Sequence, residues 1–548
     1  MPVKFRRYHV SKHIQAEPAT SAAPVVSARA ASVDVSSTDA SARGVSTDAS
    51  SGVAAPRSTS VYDPEYIPRS GDGQERRRTL ILVNVLIMTL MVCIDMSIVG
   101  VALPVMAREL GVGMGDVQWV NTAYLLVSCA AILVGGRLGD IYGKVRIFMI
   151  GVALFTVGSL LCGVVPSLAL CIVGRTIQGL GAACAFSNNQ GIITETFPDN
   201  ERGHALGWIA TAASLGSLIG PTLGGLILTL TSWGGIFLVN VPVGIIMFVM
   251  GLKNLPNRKP AHPGKLDVRG SVLLFVSLML VVSGVTELQQ SSTPVVWAQL
   301  GVGVVLLMAF VLVERRVADP VFPLAVLRNK TLLLNMFTMF ALFFVIGGQS
   351  MVLPFYFQDA RGMAPGEAAL YMTVIPVIIG VVGPVAGAMS DRIGCYIPTC
   401  LGLFLACAGE VGVSLWGTDS PTAQLVITLV VYGLGSGLFN APNNSLVMGS
   451  ARREDLGVVG GFAAFARTFG QAAGLTVATS VLYGTMSVRV GYPVTDYVDG
   501  RPDVFLGAMS AVFLTLAAVV ALGFVCTVVR FVRVRRLERV EARLENAR

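Results

Sequence analysis

Four side chains are conspicuous because they are charged or carry an amide inside otherwise apolar runs: Asp95, Arg175, Gln178 and Glu410. Asp95 falls deep in LILVNVLIMTLMVCIDMSIVGVALP (80–104), where a bare charge in lipid costs at least about 2.5 to 3.5 kcal/mol. A carboxylate at that depth has two readings. Facing an aqueous cavity, it binds a proton and a cationic group in turn; facing a neighbouring helix, it is a hydrogen-bonding packing residue. Arg175, with Gln178 one turn on, either tunes the proton affinity of such a carboxylate or anchors a helix pair. Glu410, Arg467 and Glu287 are further charges in or near apolar runs, and interfacial placement or snorkelling is the plain alternative for these.

A second kind of chemistry is concentrated at 136–146, GRLGDIYGKVR, wedged between two apolar runs. Its glycines permit a tight turn that aims Asp140. A weaker copy, GAMSDRIG, stands at 387–394 with Asp391 and Arg392. A solvated loop explains the cations of the first segment but not its recurrence. GDIYGK is not a phosphate loop: three residues rather than four separate its glycines, and Val145 follows the lysine. The four histidines (His9, His13, His204, His262) fall in tails or loops, and the nine cysteines lie mostly inside apolar runs, so no metal set is indicated. No nucleophile–base constellation and no cofactor motif emerges. The chain therefore reads as a non-enzyme that draws its energy from a gradient, with protons the expected source.

The elements that must position these residues are membrane spans. Of the 548 residues 53% are hydrophobic and 13% charged, and the mean hydropathy is +0.70. Repeated apolar runs of about 20 residues match a hydrocarbon core of about 30 Å, and the alternating segments of a β-barrel are missing. Fourteen helices are expected, the first at 79–106 and the last at 505–529. Residues 1–77, rich in Ser, Ala, Thr, Asp and Gly, read as a disordered tail. Then follow a six-helix half (78–253), two inserted helices with their loops (254–331), a second six-helix half (332–529) and a basic tail (530–548). With the N-terminus inside, the external loops keep few cations (Arg108, Arg361, Arg489, Arg501) and the cytoplasmic loops hold most of them. Both termini are thus expected in the cytoplasm. The formal charge of +8 reflects topology and anionic lipid rather than nucleic acid. Arginine far outnumbers lysine, a bias suggesting a high-GC bacterial genome; the bacterial inner membrane is the expected location.

Several segments resemble the major facilitator superfamily, and within it the fourteen-helix drug:proton antiporter branch. GRLGDIYGKVR is similar to the family's helix 2–3 motif at Gly136, Leu138, Asp140, Gly143 and Arg146, with Ile141 and Val145 at two usually basic positions. IDMSIVGVALP (94–104) resembles the helix 1 motif, with Gly100 where Asn is common. RTIQGLGAA (175–183) resembles the helix 4 motif, and GSLIGPTLGG (216–225) matches the helix 5 antiporter motif through Gly216, Gly220, Pro221, Gly224 and Gly225. IFLVNVPVG (236–244) and LPFYFQDARG (353–362) match as well, although Gly234 and Gly235 replace a habitual Arg-Trp pair. Spaced by four, Gly216, Gly220 and Gly224 line one helix face, for which plain tight packing is the alternative to a special role.

The resemblance covers about residues 80–530 and implies an all-α membrane protein of 6 + 2 + 6 helices with two pseudo-symmetric halves. It further implies that the helix 5 motif seals the path against proton leak, and that Asp140 latches the halves together inside by meeting the N-terminus of helix 13. The expected function is export of amphipathic or cationic small molecules, drugs or antibiotics, in exchange for protons by alternating access, as a monomer. Export of an endogenous metabolite, lipid or amino acid is the alternative, and a transporter-like sensor a remote one.

Overall fold

A computed structural model describes residues 72–546, apart from 256–266, 288–292, 318–328, 451–455, 495 and 499. The expected disorder of residues 1–71 and three of the four histidines (His9, His13, His262) lie outside the described residues, as do the side chains of His204 and Asp391. Residues 72–77, assigned above to the tail, instead begin the first helix.

Among the described residues fourteen long helices follow one another: α1 (Asp72–Leu110), α2 (Trp119–Tyr142), α3 (Lys144–Val164), α4 (Leu168–Thr196), α5 (Asp199–Leu230), α6 (Asn240–Asn254), α7 (Val268–Glu287), α8 (Pro294–Glu314), α9 (Lys330–Phe355), α10 (Pro365–Ile393), α11 (Tyr396–Ser414), α12 (Thr422–Gly449), α13 (Leu456–Val490) and α14 (Pro502–Asn546). Single turns at Met114–Val117 and Gly235–Leu238 lead into α2 and α6, and a π-helical turn, Tyr356–Ala360, closes α9. Thirteen are long and apolar enough to span a membrane. The other, α13, has the length at 35 residues but carries Arg467 and Gln471 in its middle. The basic tail is not a separate element: α14 runs through it to Asn546, fixed by Arg530, which donates to Asn335 and to the Tyr396 hydroxyl (2.6 Å).

Lipid supplies no hydrophobic force between helices, so close packing of backbones must hold them together. Glycine provides it, twice over. A Cβ at Gly151 or Gly158 of α3 would lie 2.6 Å from the carbonyl of Gly181 or Gly174 on α4. A Cβ at Gly402 of α11 would lie 2.7 Å from the Gly435 carbonyl on α12, and one at Gly409 would lie 2.7 Å from Tyr432 Cβ. Likewise Gly216, Gly220 and Gly224 of α5 lie against Cys93, Ser97 and Ile98 of α1, while Gly470 and Gly474 of α13 lie against Phe340 and Phe344 of α9. Polar pairs repeat as well. Asn189 of α4 donates to Thr89 of α1 (3.0 Å), and Thr338 of α9 donates to Asn443 of α12 (3.1 Å). The turns after α2 and α10 both end on a left-handed glycine, Gly143 (φ 101°) and Gly394 (φ 84°), three residues beyond Asp140 and Asp391. The internal repeat is therefore physical, built from matching contacts.

The inserted hairpin α7–α8 covers the seam where α2 meets α13, with Leu274, Leu278 and Phe310 packed beside Cys129, Ala130 and Phe465. Where α1 meets α9, Gly100 leaves a Cβ position 3.3 Å from the Ser350 carbonyl. The departure from Asn at this position thus has a steric reason. Replacing Gly151 by Leu is expected to cost about 1 to 3 kcal/mol through overpacking against α4, read as a lowered thermal midpoint of the purified protein. An unchanged midpoint would mean the α3–α4 contact is slack.

Candidate functional site

Five helices converge on Asp95. Arg175 Nη1 of α4 donates to Oδ2 (2.5 Å), and Gln178 Nε2 of α4 and Asn240 Nδ2 of α6 donate to Oδ1 (2.9 Å each). The donors are themselves held. Arg175 Nε reaches the Val120 carbonyl at the start of α2 (3.0 Å), its Nη1 also reaches Gln178 Oε1 (2.9 Å), and its guanidinium lies 4.1 Å over the Tyr124 ring. Gln178 Nε2 also donates to Ser159 of α3 (2.7 Å). Asp95 is 0% exposed and Arg175 1%. So Asp95 lines no open space; it is enclosed in a saturated ion pair, because three preorganised donors in a low-dielectric setting outcompete water. Losing one partner of such a pair leaves an uncompensated buried charge, which costs about 3 to 5 kcal/mol.

Of the four candidates read from intramembrane charge, Asp95, Arg175 and Gln178 thus come together and Glu410 stands apart in the second half. It is also 0% exposed, with Gln349 of α9 donating to Oε1 and no hydrogen-bond partner at Oε2. Asn240, Ser159 and Tyr124 were not singled out from the sequence. Asn240 carried a signal, being the one amide within IFLVNVPVG; Ser159 and Tyr124 carried none, since helix rotation decides where a small or aromatic side chain points. Arg467 of α13 is half-buried, donates to Asn444 of α12 (2.9 Å), lies 5.7 Å over Phe343 and leaves Nε without a partner.

At the end of the bundle away from Asp72 and Asn546 the halves are tied together. Arg108 at the end of α1 pairs with Asp359 (2.7 Å), Gln358 donates to the Val101 carbonyl (2.9 Å), and Asp496 accepts from the Met114 amide (3.3 Å). Further in, Thr222 of α5 meets Thr373 of α10 (2.9 Å), and a Cβ at Gly225 would lie 2.7 Å from Ala369 Cβ. The helix 5 motif therefore faces two ways: Gly216, Gly220 and Gly224 onto α1, Gly225 onto α10. Pro221 sits inside α5 without ending it.

Toward the opposite end these glycine contacts between α5 and α10 are missing among the described residues. Gly207 of α5 and Gly380, Gly383 and Gly387 of α10 have open space where a side chain would be. α4 and α13 stay close, with Gly460 beside Gln190. In the turn after α2, Asp140 is half exposed and pairs with Lys144 (3.5 Å), which also binds Glu195 of α4 (2.6 Å). Gly139 is pressed against Asn188, Gly136 lies near Ser187, and Arg146 and Arg392 are exposed. Asp140 is thus engaged within its own half in this conformation.

Residues 85–475 match the model of the Major Facilitator Superfamily. The chain is 32% identical over 403 residues to the riboflavin transporter RibZ of Clostridioides difficile, covering 73% of this chain and 87% of that one. It is 31% identical over 445 residues to the tetracenomycin C resistance and export protein of Streptomyces glaucescens (79% and 81% covered). It is 30% identical over 407 residues to the multidrug resistance protein Stp of Mycobacterium tuberculosis (73% and 75%). Among solved structures, a POT family transporter in complex with 5-aminolevulinic acid aligns with a TM-score of 0.62 at 17% identity, over 83% of this chain and 96% of that one, a likeness of fold. With its two matching sets of six helices, its inserted pair and these relatives, the chain belongs to the Major Facilitator Superfamily and is a transporter, not an enzyme.

Proposed function

We propose that the chain exports amphipathic small molecules, drugs or antibiotics and cationic ones among them, in exchange for protons by alternating access. The observation that carries this reading is the saturated Asp95–Arg175 pair, buried behind an end of the bundle that is tied shut. With the termini in the cytoplasm, as the loop charges favour, the tied end is external and the opposite end, where those α5–α10 contacts are missing among the described residues, faces the cell interior. This is the state that receives cargo from the cytoplasm. A proton arriving from outside competes with Arg175 for Asp95 once the external end opens; after that end closes the proton leaves to the cytoplasm, and Asp95 pairs with Arg175 again in the cargo-ready state. One proton moving inward through about 100 mV supplies about 2.3 kcal/mol, enough for about a fifty-fold gradient of an uncharged solute.

The gate is sized for such a cycle. The Arg108 side chain of the external pair is 52% exposed, and pairs of this kind contribute at most about 1 kcal/mol. It biases the closed state without locking it, since a swing from 1:99 to 99:1 takes about 5.5 kcal/mol. A second reading, export of an endogenous metabolite, draws support from Arg467, which has no carboxylate partner among the described residues and offers a donor to an acceptor group on the cargo. The riboflavin transporter relative fits the same reading.

Purified protein in liposomes with an imposed pH gradient, offered ethidium, tetracycline and riboflavin in parallel, tests both. Uphill movement of at least one compound is expected in the parent and lost in Asp95→Asn; coupling unchanged in that variant would remove Asp95 from the cycle. Arg175→Ala is expected to lose about 3 to 5 kcal/mol of stability, most of it recovered in Asp95→Asn/Arg175→Gln. A thermal midpoint equal to the parent's in Arg175→Ala would refute the tight pair. Charge reversal at either Arg108 or Asp359 should raise labelling of a cysteine placed at Thr222 from the external side, and the double reversal should return it to the parent level. Labelling that ignores all three variants would dismiss the pair as a gate.

A further inference from the structure

Among the described residues each half of the bundle holds one fully buried carboxyl group, Asp95 and Glu410, and the two are compensated differently. The close contacts of α3 on α4 and of α11 on α12 fix how the halves correspond. Gly151 lies against the Gly181 carbonyl and the Ala185 amide, Gly402 against the Gly435 carbonyl and the Phe439 amide. Gly158 lies against the Gln178 amide, and Gly409 against the Tyr432 amide. In that register the neighbour of Gly158, Ser159, corresponds to the neighbour of Gly409, Glu410, and Gln178 corresponds to Tyr432. Ser159 and Gln178 share a hydrogen bond at the base of the Asp95 cluster. Glu410 therefore stands, in the second half, where the first half anchors its ion pair.

What surrounds Glu410 is unlike what surrounds Asp95. From α9, Gln349 donates to Oε1; from α12, the buried Tyr432 hydroxyl lies near it with Ser436 beside that hydroxyl; Cys407 lies on its own helix and is directed to the Ala517 carbonyl of α14. Among the described residues Oε2 has no hydrogen-bond partner and Glu410 forms no ion pair. A lone carboxylate in this setting is far costlier than a carboxylic acid. Gln349, its hydrogen-bond donor among the described residues, sits on the helix that touches the other half. Ser350, next to Gln349, is where α9 touches Gly100 of α1, five residues from Asp95. A movement of α1 that carries α9 with it would shift Gln349 relative to Glu410 on α11.

We infer that Glu410 is a second proton-binding site of the transport cycle, its proton held in the half opposite Asp95 and exchanged when α9 withdraws or presents Gln349. Two protons then move per cycle, one in each half. This rests on the proton-exchange reading above, and the test separates the two.

The experiment needs no cargo. Spin labels at Thr229 and Gly366 report closure of the external end in full-length protein in lipid nanodiscs, titrated with pH at constant potassium. The parent is expected to close with a slope of about two protons, and Glu410→Gln and Asp95→Asn with about one each. Gln349→Met, which removes the donor and keeps the acid, should retain the parent slope with a displaced midpoint. A Glu410→Gln curve superimposable on the parent overturns the inference and makes Glu410 a permanently neutral packing group. A curve lowered by Glu410→Gln but not by Asp95→Asn keeps Glu410 and removes Asp95. A distance indifferent to pH in the parent overturns both readings. Closure driven by sodium at fixed pH, and lost in Glu410→Gln, replaces the proton by sodium and also overturns the inference.

Discussion

The Asp95–Arg175 ion pair is the constraint on which the first half of the bundle depends. Lipid and packed helices give it no water, so its two charges must satisfy each other and every remaining donor must find a fixed acceptor. α1, α2, α3, α4 and α6 each contribute one or more of those atoms. Their mutual rotation is thereby specified far more sharply than apolar packing in lipid would specify it. Under the proposed proton exchange, the same stringency would make the pair a switch: a proton on Asp95 would remove the reason for the whole arrangement at once.

Glycine supplies the proximity that such a network needs. Backbones brought together at Gly151, Gly158, Gly216 and Gly224 place side chains of moderate length, Gln178 and Asn240 among them, within hydrogen-bonding distance of a carboxylate on another helix. The second half uses the same contacts but ends in a different chemistry, an acid at Glu410 without a cation among the described residues. Pseudo-symmetry fixes the frame, and individual side chains decide what each half does with it. The tie at the end away from Asp72 and Asn546 is light by comparison. Exposed Arg108 and a threonine pair hold the halves by contacts that water can replace, and one buried amide, Gln358, adds a bond to the Val101 carbonyl.

Much of this was legible beforehand. Spans of about 20 apolar residues fix helix number because the bilayer fixes length, and the glycine spacing in GSLIGPTLGG fixes a contact face because four residues make about one turn. Both features depend on local sequence, and both are found in α5. Asp95, Arg175 and Gln178 were visible as costly residues in lipid, but their meeting was not, since it depends on the rotation of α1 and α4 about their axes. For the same reason Asp95 could be read as facing a water-filled cavity, whereas three donors from two other helices enclose it. Asn240 lay in a quoted motif without its role being apparent. The paired register that brings Glu410 opposite Ser159 needed the α3–α4 and α11–α12 contacts, because the two halves share too few identical residues to be aligned by eye. Asp140 gives a different lesson: its turn was legible down to Gly143, yet which partner it takes depends on the conformation of the whole bundle.

The central claim is that Asp95 trades Arg175 for a proton only when the external end is open. It is tested most directly by locking that end. In a background without the nine native cysteines, cysteines at positions 108 and 359 can be joined across the gate, and infrared difference spectra recorded after an external acid pulse to reconstituted protein. The neutral-carboxyl band of Asp95, identified by its loss in Asp95→Asn, is expected only after the disulfide is reduced. A band of equal intensity with the gate locked would contradict the claim.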